Sequence, residues 1–419
     1  MEFSSESYSA LVQSLFERHQ SVQSVGFVSG AYKPGLDNMV RFASVLGNPQ
    51  DSFRTVHVAG TNGKGSVCSM LAASLAAAGF KVGLYTSPHL VDFRERAKIV
   101  TESGFEMISE REVWDFLTAH ASELDNLSFF EITTGLAFRW FADREVDVAI
   151  IETGLGGRLD STNIITPELS VITSIGLDHC AILGDTRAEI AAEKAGIFKP
   201  GVPALVASRD DETARVFEQT ASRVHCPLFF ADVEPLPDAS RLDLEGPCQD
   251  VNLRTVLSSL ELLGVEADTE AISRAAALTG FRGRWEMLCE NPETICDIGH
   301  NPAALQCNFR RLEQSGRPLV IVYGVMADKD LDGIAPLMPS EAYYILVAPA
   351  TARALPACEL RERLACLRPG LRTCTAESVA EGVDAASRAA GSVPGALIYI
   401  GGSTFVVSEA IIHLETNHK

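Results

Sequence analysis

Residues 57–66 read His57-Val58-Ala59-Gly60-Thr61-Asn62-Gly63-Lys64-Gly65-Ser66, a glycine-rich turn with one lysine, set between a β-branched strand and an alanine-rich helix. Glycines let backbone N–H groups converge on a phosphate with no Cβ in the way. The helix start adds its positive dipole end, and Lys64 adds a mobile point charge. The chemistry this predicts is the handling of a nucleoside triphosphate by Thr61, Asn62, Gly63, Lys64, Gly65 and Ser66. The common phosphate loop has a glycine five residues before its Gly-Lys pair and Ser or Thr directly after it. Here Val58 takes the early position and Gly65 separates Lys64 from Ser66, which points to a specific subfamily of such loops.

A second run, Val146 to Asp160, ends an apolar strand in Glu152 and opens into Thr153-Gly154-Leu155-Gly156-Gly157-Arg158-Leu159-Asp160. In open α/β sheets ligands sit beyond the carboxyl ends of strands, so Glu152 is expected beside the Lys64 loop. A carboxylate there suits Mg²⁺ held against a triphosphate. Ser174 to His179 follows a further strand, and Glu193-Lys194-Ala195-Gly196 lies on a helix. Alone, His179 reads as a hydrogen-bonded structural histidine and Lys194 as a solvated helix lysine; their order after Glu152 gives both a second reading.

These residues need a scaffold of parallel strands. Short apolar runs alternating with helical stretches predict a parallel sheet covered by helices on both faces. Expected strands are 55–59, 82–85, 146–151, 170–174, 204–207 and 227–230, then a second series at 294–297, 319–323, 342–347 and 396–400. Expected helices include 66–78, 110–121, 132–142, 187–195, 253–263 and 270–277. Leu278 to Arg284 carries two glycines and two arginines between the two series and is the candidate hinge, while 232–247 is expected as a surface hairpin or loop.

The 419 residues exceed what one hydrophobic core usually organises, so two domains are expected. A net charge of −20 argues against sequence-independent nucleic-acid binding, and an anionic substrate must be met by locally placed Lys, Arg and helix N-termini. No apolar run approaches the roughly 20 residues that cross a bilayer. The N-terminus is acidic and polar, unlike a secretory signal, and the ten cysteines form no Cys-x-x-Cys pair. These features predict a cytoplasmic protein with neither a disulfide framework nor a zinc ribbon, acting away from membranes.

Six ordered motifs resemble the folylpolyglutamate synthase and dihydrofolate synthase family of the Mur-type ligase superfamily. They are Gly60–Ser66, Thr86-Ser87-Pro88-His89-Leu90, Glu152–Asn163, Leu177-Asp178-His179, Glu193–Gly196 and Asp297-Ile298-Gly299-His300-Asn301-Pro302. The resemblance implies an α/β fold. A P-loop-containing N-terminal ATPase domain with a central, mostly parallel sheet (1–283) would precede a smaller Rossmann-like C-terminal glutamate ligase domain (284–419). It also implies two Mg²⁺ ions, one held by Ser87 and Glu152 and a second served by His179 and a Lys194 carbamylated by CO₂. Carbamylation would turn a cation that repels Mg²⁺ into an anionic oxygen ligand, and it requires the amine to be deprotonated first. Family positions for ATP are the Lys64 loop, Asn252, Arg284 and Asp297; by itself Asn252 reads equally as a helix cap. Asp297 and His300 begin the second domain at a strand end, with Gly299 where the family usually has Ala, and both halves are expected to face one cleft. Gly35, Phe130, Leu159, Asp160 and Ser161 match the pteroate and folate pocket, where Phe130 is either a ring stacked on the pterin or a core wedge.

The implied reaction is ATP-dependent amide formation through an acyl phosphate. Lys64, Lys194, His179, Asp297 and His300 act as catalytic residues, and L-glutamate with dihydropteroate or reduced folates as substrates. A bifunctional, monomeric enzyme is expected; the alternatives are a monofunctional folylpolyglutamate synthase and a ligase of UDP-linked cell-wall precursors. The latter usually carries an extra N-terminal domain, whereas only about 54 residues precede the first expected strand here. A nucleotide switch would leave the Asp297–Pro302 motif unexplained, and a dinucleotide dehydrogenase lacks its Gly-x-Gly-x-x-Gly run.

Overall fold

The computed structural model describes residues 2–19, 35–238, 241–245 and 249–417. The chain divides into two compact units, Met1–Asp243 with Cys248–Phe281, and Leu244–Pro247 with Arg282–Lys419. The division at Phe281 and Arg282 falls inside the glycine- and arginine-containing stretch 278–284.

The first unit is built on eight strands: β1 (Arg54–Ala59), β2 (Val82–Tyr85), β3 (Ala97–Thr101), β4 (Gly104–Met107), β5 (Val148–Glu152), β6 (Leu169–Ile172), β7 (Ala204–Val206) and β8 (Leu228–Phe230). Their order across the sheet is β4-β3-β2-β5-β1-β6-β7-β8. The β2-β5-β1-β6-β7-β8 portion is parallel, and β3 and β4 add antiparallel to one side. Strand β5 runs Val148-Ala149-Ile150-Ile151-Glu152 with every residue buried, as a strand covered on both faces requires. Register sets the site: Val58 pairs with Glu152 and Ala59 with Ile172, so the carboxyl ends of β1, β5 and β6 meet at one edge.

The helix Lys64–Ala77 follows β1 directly and is buried at every position from Gly65 to Ala76. It packs on β2 and β5 and is covered by the helices Gln249–Leu263, Thr269–Ser273 and Ala275–Thr279. Its small side chains make that enclosure possible; a helix apolar on all sides is stable only when wrapped.

The second unit carries β9 (Glu286–Glu290), β10 (Glu293–Asp297), β11 (Leu319–Tyr323), β12 (Tyr343–Leu346), β13 (Arg372–Thr375) and β14 (Leu397–Gly401). Their order is β13-β12-β11-β14-β10-β9, parallel except for the antiparallel edge pair β9–β10. Both units therefore have the α/β architecture that the alternating pattern predicts.

Several expectations need correction. The helix predicted at 66–78 begins at Lys64, which makes the lysine its first helical residue. The helix predicted at 253–263 begins at Gln249, so Asn252 lies inside its first turn and not at the cap. The expected helix at 270–277 breaks at Arg274, whose φ of −110° is non-helical. Among the described residues of 232–247 there is no strand, so the hairpin alternative fails. Strands β3, β4, β9 and β13 escaped the sequence reading: all four contain charged or polar residues and lie in or beside the antiparallel margins or at a sheet edge, where the apolar run that marks a buried strand is not required.

Close packing gives one test of this unit. A Cβ on Gly135, in the helix Phe129–Asp143, would stand 2.4 Å from the Phe42 ring and 3.2 Å from Leu46. Gly135→Ala gains about 1 kcal/mol in helix propensity but costs about 1–3 kcal/mol in overpacking. A lower urea midpoint for the first unit is expected; a raised midpoint would show that the Phe42 ring yields.

Candidate functional site

The phosphate loop is fastened to the end of β6 by its own backbone. Thr61 N–H donates to the Ser174 carbonyl at 2.7 Å, and Thr61 Oγ1 donates to the Gly176 carbonyl at 3.0 Å while accepting from Gly176 N–H at 3.0 Å. The Asn62 carbonyl accepts from Thr173 Oγ1 at 2.8 Å and Ser174 Oγ at 3.1 Å. Two glycines are required for this approach. A Cβ on Gly60 would lie 1.8 Å from Thr173 Oγ1; one on Gly63, whose φ is +87°, would lie 2.3 Å from Asn252 Oδ1. Gly65 packs on the Phe281 ring and Ser66 is buried in the helix. Asn252 is thus a wall of the loop, and its amide donates to Gln249 Oε1 at 2.9 Å instead of capping the helix.

Two lysines share one acceptor. Lys194, the last residue of the helix Arg187–Lys194, sends Nζ to the Gly60 carbonyl at 2.7 Å, and Lys64 Nζ reaches the same carbonyl at 3.1 Å and that of Thr61 at 3.3 Å. Among the described residues, neither has a carboxylate within ion-pair distance. Lys194 is 4% exposed; burial first, and the Lys64 charge second, pull its pKa down to about 7. The nearby Asp178 and Asp160 oppose that shift.

Glu152 is buried at the end of β5, where Ser87 N–H donates to its Oε2 at 3.0 Å. Ser87 follows β2, the other neighbour of β5, so β2 and β5 deliver a hydroxyl and a carboxylate to the same edge. His179 holds a left-handed conformation (φ +54°) as its backbone N–H donates to Asp178 Oδ1 at 2.9 Å, with Nε2 3.9 Å from Oδ2. Among the described residues no three His, Cys, Asp or Glu side chains converge into a metal cage. Glu152, with Ser87 beside it, nevertheless fits a divalent ion of the magnesium type, which keeps several waters and takes only one or two protein carboxylates beside phosphate oxygens.

The residues matched to a pteroate pocket separate into two groups. Phe129 is 1% exposed, lies under the Arg96 guanidinium and is the core wedge, whereas Phe130 is half-buried with its ring against Gly154. A Cβ on Gly154 would stand 2.5 Å from that ring. Asp160 turns inward. Its Oδ2 accepts from the Gly154 and Leu155 N–H groups at 2.9 and 2.8 Å, and its Oδ1 accepts from Thr162 N–H and Oγ1. Burial raises its pKa against those hydrogen bonds. Thr162 Oγ1 accepts in turn from His57 Nε2 at 2.8 Å, a neutral ring whose pKa burial pushes to about 3. Asp160 therefore shapes the glycine turn, with half-buried Leu159 and Ser161 beside it, while Gly35 precedes the helix Asp37–Val45. Sequence reasoning missed the anchoring role of Thr173 and Ser174; polar residues directly after an apolar strand were the available signal.

In the second unit Asp297 ends β10. Its Oδ1 accepts from Gly299 N–H and Asn308 Nδ2, both at 2.7 Å, and its Oδ2 accepts from Trp285 N–H at 3.1 Å. The His300 Nδ1 donates to the Ile298 carbonyl at 3.0 Å, which fixes the proton on that nitrogen. Asn301 caps the helix Pro302–Gln314, accepting from Ala304 N–H at 3.0 Å. Arg284 stands half-buried in the bend before β9.

Residues 58–245 match the Mur ligase middle domain and residues 283–404 the Mur ligase glutamate ligase domain. A dihydrofolate synthase/folylpolyglutamate synthase of Bacillus subtilis is 33% identical over 79% of this chain and 85% of its own. The folylpolyglutamate synthase of Lacticaseibacillus casei is 33% identical over 74% and 80%. The E. coli FolC structure in complex with DHPP and ADP superposes with a TM-score of 0.84 at 30% identity, covering 98% of each chain. A bifunctional folylpolyglutamate synthase/dihydrofolate synthase from Yersinia pestis, complexed with AMPPNP and Mn ion, gives 0.81 at 29% identity over 97% and 98%. With both halves of the motif set seated at strand ends and relatives matched along most of its length, the chain belongs to the dihydrofolate synthase/folylpolyglutamate synthase family of Mur ligases.

Proposed function

We propose that this chain is an ATP-dependent ligase joining L-glutamate to dihydropteroate and to the γ-carboxylate of reduced folates. One observation carries the reading: two lysines, with no carboxylate at ion-pair distance among the described residues, meet on the Gly60 carbonyl at the edge that also holds Glu152 and Ser87. The Lys64 charge at the glycine-rich turn is suited to a triphosphate, and the adjacent carboxylate to its metal.

The substrate carboxylate attacks the γ-phosphorus and ADP leaves; the glutamate amine then attacks the acyl carbon of the acyl phosphate, displacing inorganic phosphate and losing a proton as the amide forms. Lys64 and the loop N–H groups bind the phosphates and offset the charge that shifts onto ADP. Glu152 and Ser87 would hold one divalent ion, with His179 and Lys194 serving a second. When bound, such ions supply Lewis-acid stabilisation of the phosphate oxygens. Asn252, Arg284 and Asp297 are assigned to nucleotide recognition, and His300 to the reacting groups. Phe130 is assigned to the pterin ring, and Asp160 to holding the turn against which the Phe130 ring packs.

Lys194 is assigned as carbamylated: its neutral amine adds to CO₂ and releases one proton, giving an anionic carbamate. A buried amine with its pKa near 7 favours this, because the ammonium form cannot add to CO₂ and the anion removes the repulsion with Lys64. The sign follows directly: the competent neutral fraction rises as pH passes upward through about 7. Enzyme stripped of CO₂ should lose activity, and bicarbonate with magnesium should restore it faster at pH 8 than at pH 6. Activity indifferent to bicarbonate would mean that the unmodified lysine suffices.

ADP release with ATP, Mg²⁺ and L-glutamate, offering dihydropteroate and tetrahydrofolate separately, tests the reaction itself. Turnover with both is expected; turnover with tetrahydrofolate alone would make the enzyme monofunctional, and turnover with neither would reject the proposal. Lys64→Ala should lower kcat by on the order of 10²–10³-fold. Glu152→Ala should raise the magnesium concentration needed for half-activity by more than roughly tenfold, and an unmoved magnesium curve would remove Glu152 from metal binding.

A further inference from the structure

Asp297, only 6% exposed, ends a buried strand, and three donors converge on its carboxylate. Gly299 N–H and Asn308 Nδ2 take Oδ1, and Trp285 N–H takes Oδ2. An ionised carboxylate offers about four lone-pair directions, so about one remains, and it lies on Oδ2. The donor that is not backbone is Asn308, a 3%-exposed residue on the second turn of the helix Pro302–Gln314. Its orientation is fixed by chemistry: Asp297 can only accept, so the amide nitrogen faces it. The second proton of that nitrogen goes to the Tyr399 hydroxyl at 3.0 Å, itself wholly buried on β14.

Room for this amide depends on Gly299. A Cβ there would stand 2.8 Å from Asp297 Oδ1, 3.0 Å from Asn308 Nδ2 and 3.1 Å from Ala304 Cβ. The φ of Gly299 is not in the left-handed region, so the glycine is needed for space and not for backbone freedom. A methyl group at 299 and an amide at 308 compete for one volume.

We infer that Asn308 is a positioning residue for Asp297, and that Gly299 and Asn308 act as a matched pair fixing the carboxylate so that the remaining acceptor site on Oδ2 stays available for the nucleotide. This rests on the reading of Asp297 as a nucleotide-recognition residue. The effect should fall on ATP and spare glutamate, because the pair acts on one carboxylate through a charge-assisted hydrogen bond.

The test uses the full-length enzyme, with ADP release measured against varied ATP, glutamate and folate. Asn308→Leu should raise the KM for ATP about tenfold, leaving the KM for glutamate within twofold. Asn308→Asp, equal in size but presenting an acceptor to Asp297, should raise it further. Gly299→Ala alone should also raise it, and Gly299→Ala with Asn308→Ala should be no worse than Gly299→Ala, since the crowding is gone. Melting temperatures are taken in parallel. Should Asn308→Leu fail to fold, the isosteric Asn308→Asp and the smaller double variant carry the same comparison. An ATP KM unmoved in Asn308→Asp, additive losses in the double variant, or equal losses for every substrate would overturn the inference. Absence of turnover in the wild type would instead reject the ligase reading, so the two failures are separable.

Discussion

Two lysine amines, one buried and one half-buried, converge on the carbonyl of Gly60 and set the terms for the first unit. Like charges this close repel, and the cost is held in place by the packed ends of three strands. Lys194 cannot withdraw, because its helix ends there and its side chain is enclosed. Lys64 cannot move far either, since its backbone starts a helix buried on all sides. A polyanion or a change in the charge of Lys194 relieves the repulsion, so the protein's stored electrostatic cost and its chemistry are aimed at the same ligand. The overall charge of −20 does not contradict this, because screening confines the effect of distant surface carboxylates while the lysines act at contact range.

Much of this was legible in the chain. The glycine spacing around Lys64 announced a phosphate loop, and the rule that ligands gather beyond parallel strand ends put Glu152 beside it, as the pairing of Val58 with Glu152 bears out. Periodicity found the buried strands because burial on both faces leaves an apolar run. It failed for β3, β4, β9 and β13, whose margin or edge positions admit charge. Side-chain direction was less legible. Nothing in the spacing of Asp160 distinguishes a carboxylate facing ligand from one gripping two backbone amides of its own turn. The Phe129–Phe130 pair likewise could not be divided into core and turn without the fold.

The two units solve a common problem in different ways. In the first, donors and cations await an anion. In the second, an anion is tied down by donors, with Trp285 in a left-handed conformation (φ +49°) to bring its N–H onto Asp297. Both arrangements fix polar groups before ligand arrives, which lowers the ordering cost at the moment of binding. Each relies on glycines where a side chain would collide, at Gly60 and Gly63 in one unit and Gly299 in the other.

The enclosure of the Lys64–Ala77 helix has a consequence for how such a protein can diversify. With sheet on one side and three helices on the others, its residues have no room to vary in size, so the triphosphate machinery is frozen by volume as much as by chemistry. Room for residues to change in size lies instead at partly open positions outside that helix, such as the glycine turn at Gly154 and the helix start at Phe130. The helix that begins at Lys64 is thus the part of this fold least able to absorb a change of side-chain volume, and the turns facing it from outside are the parts most able to.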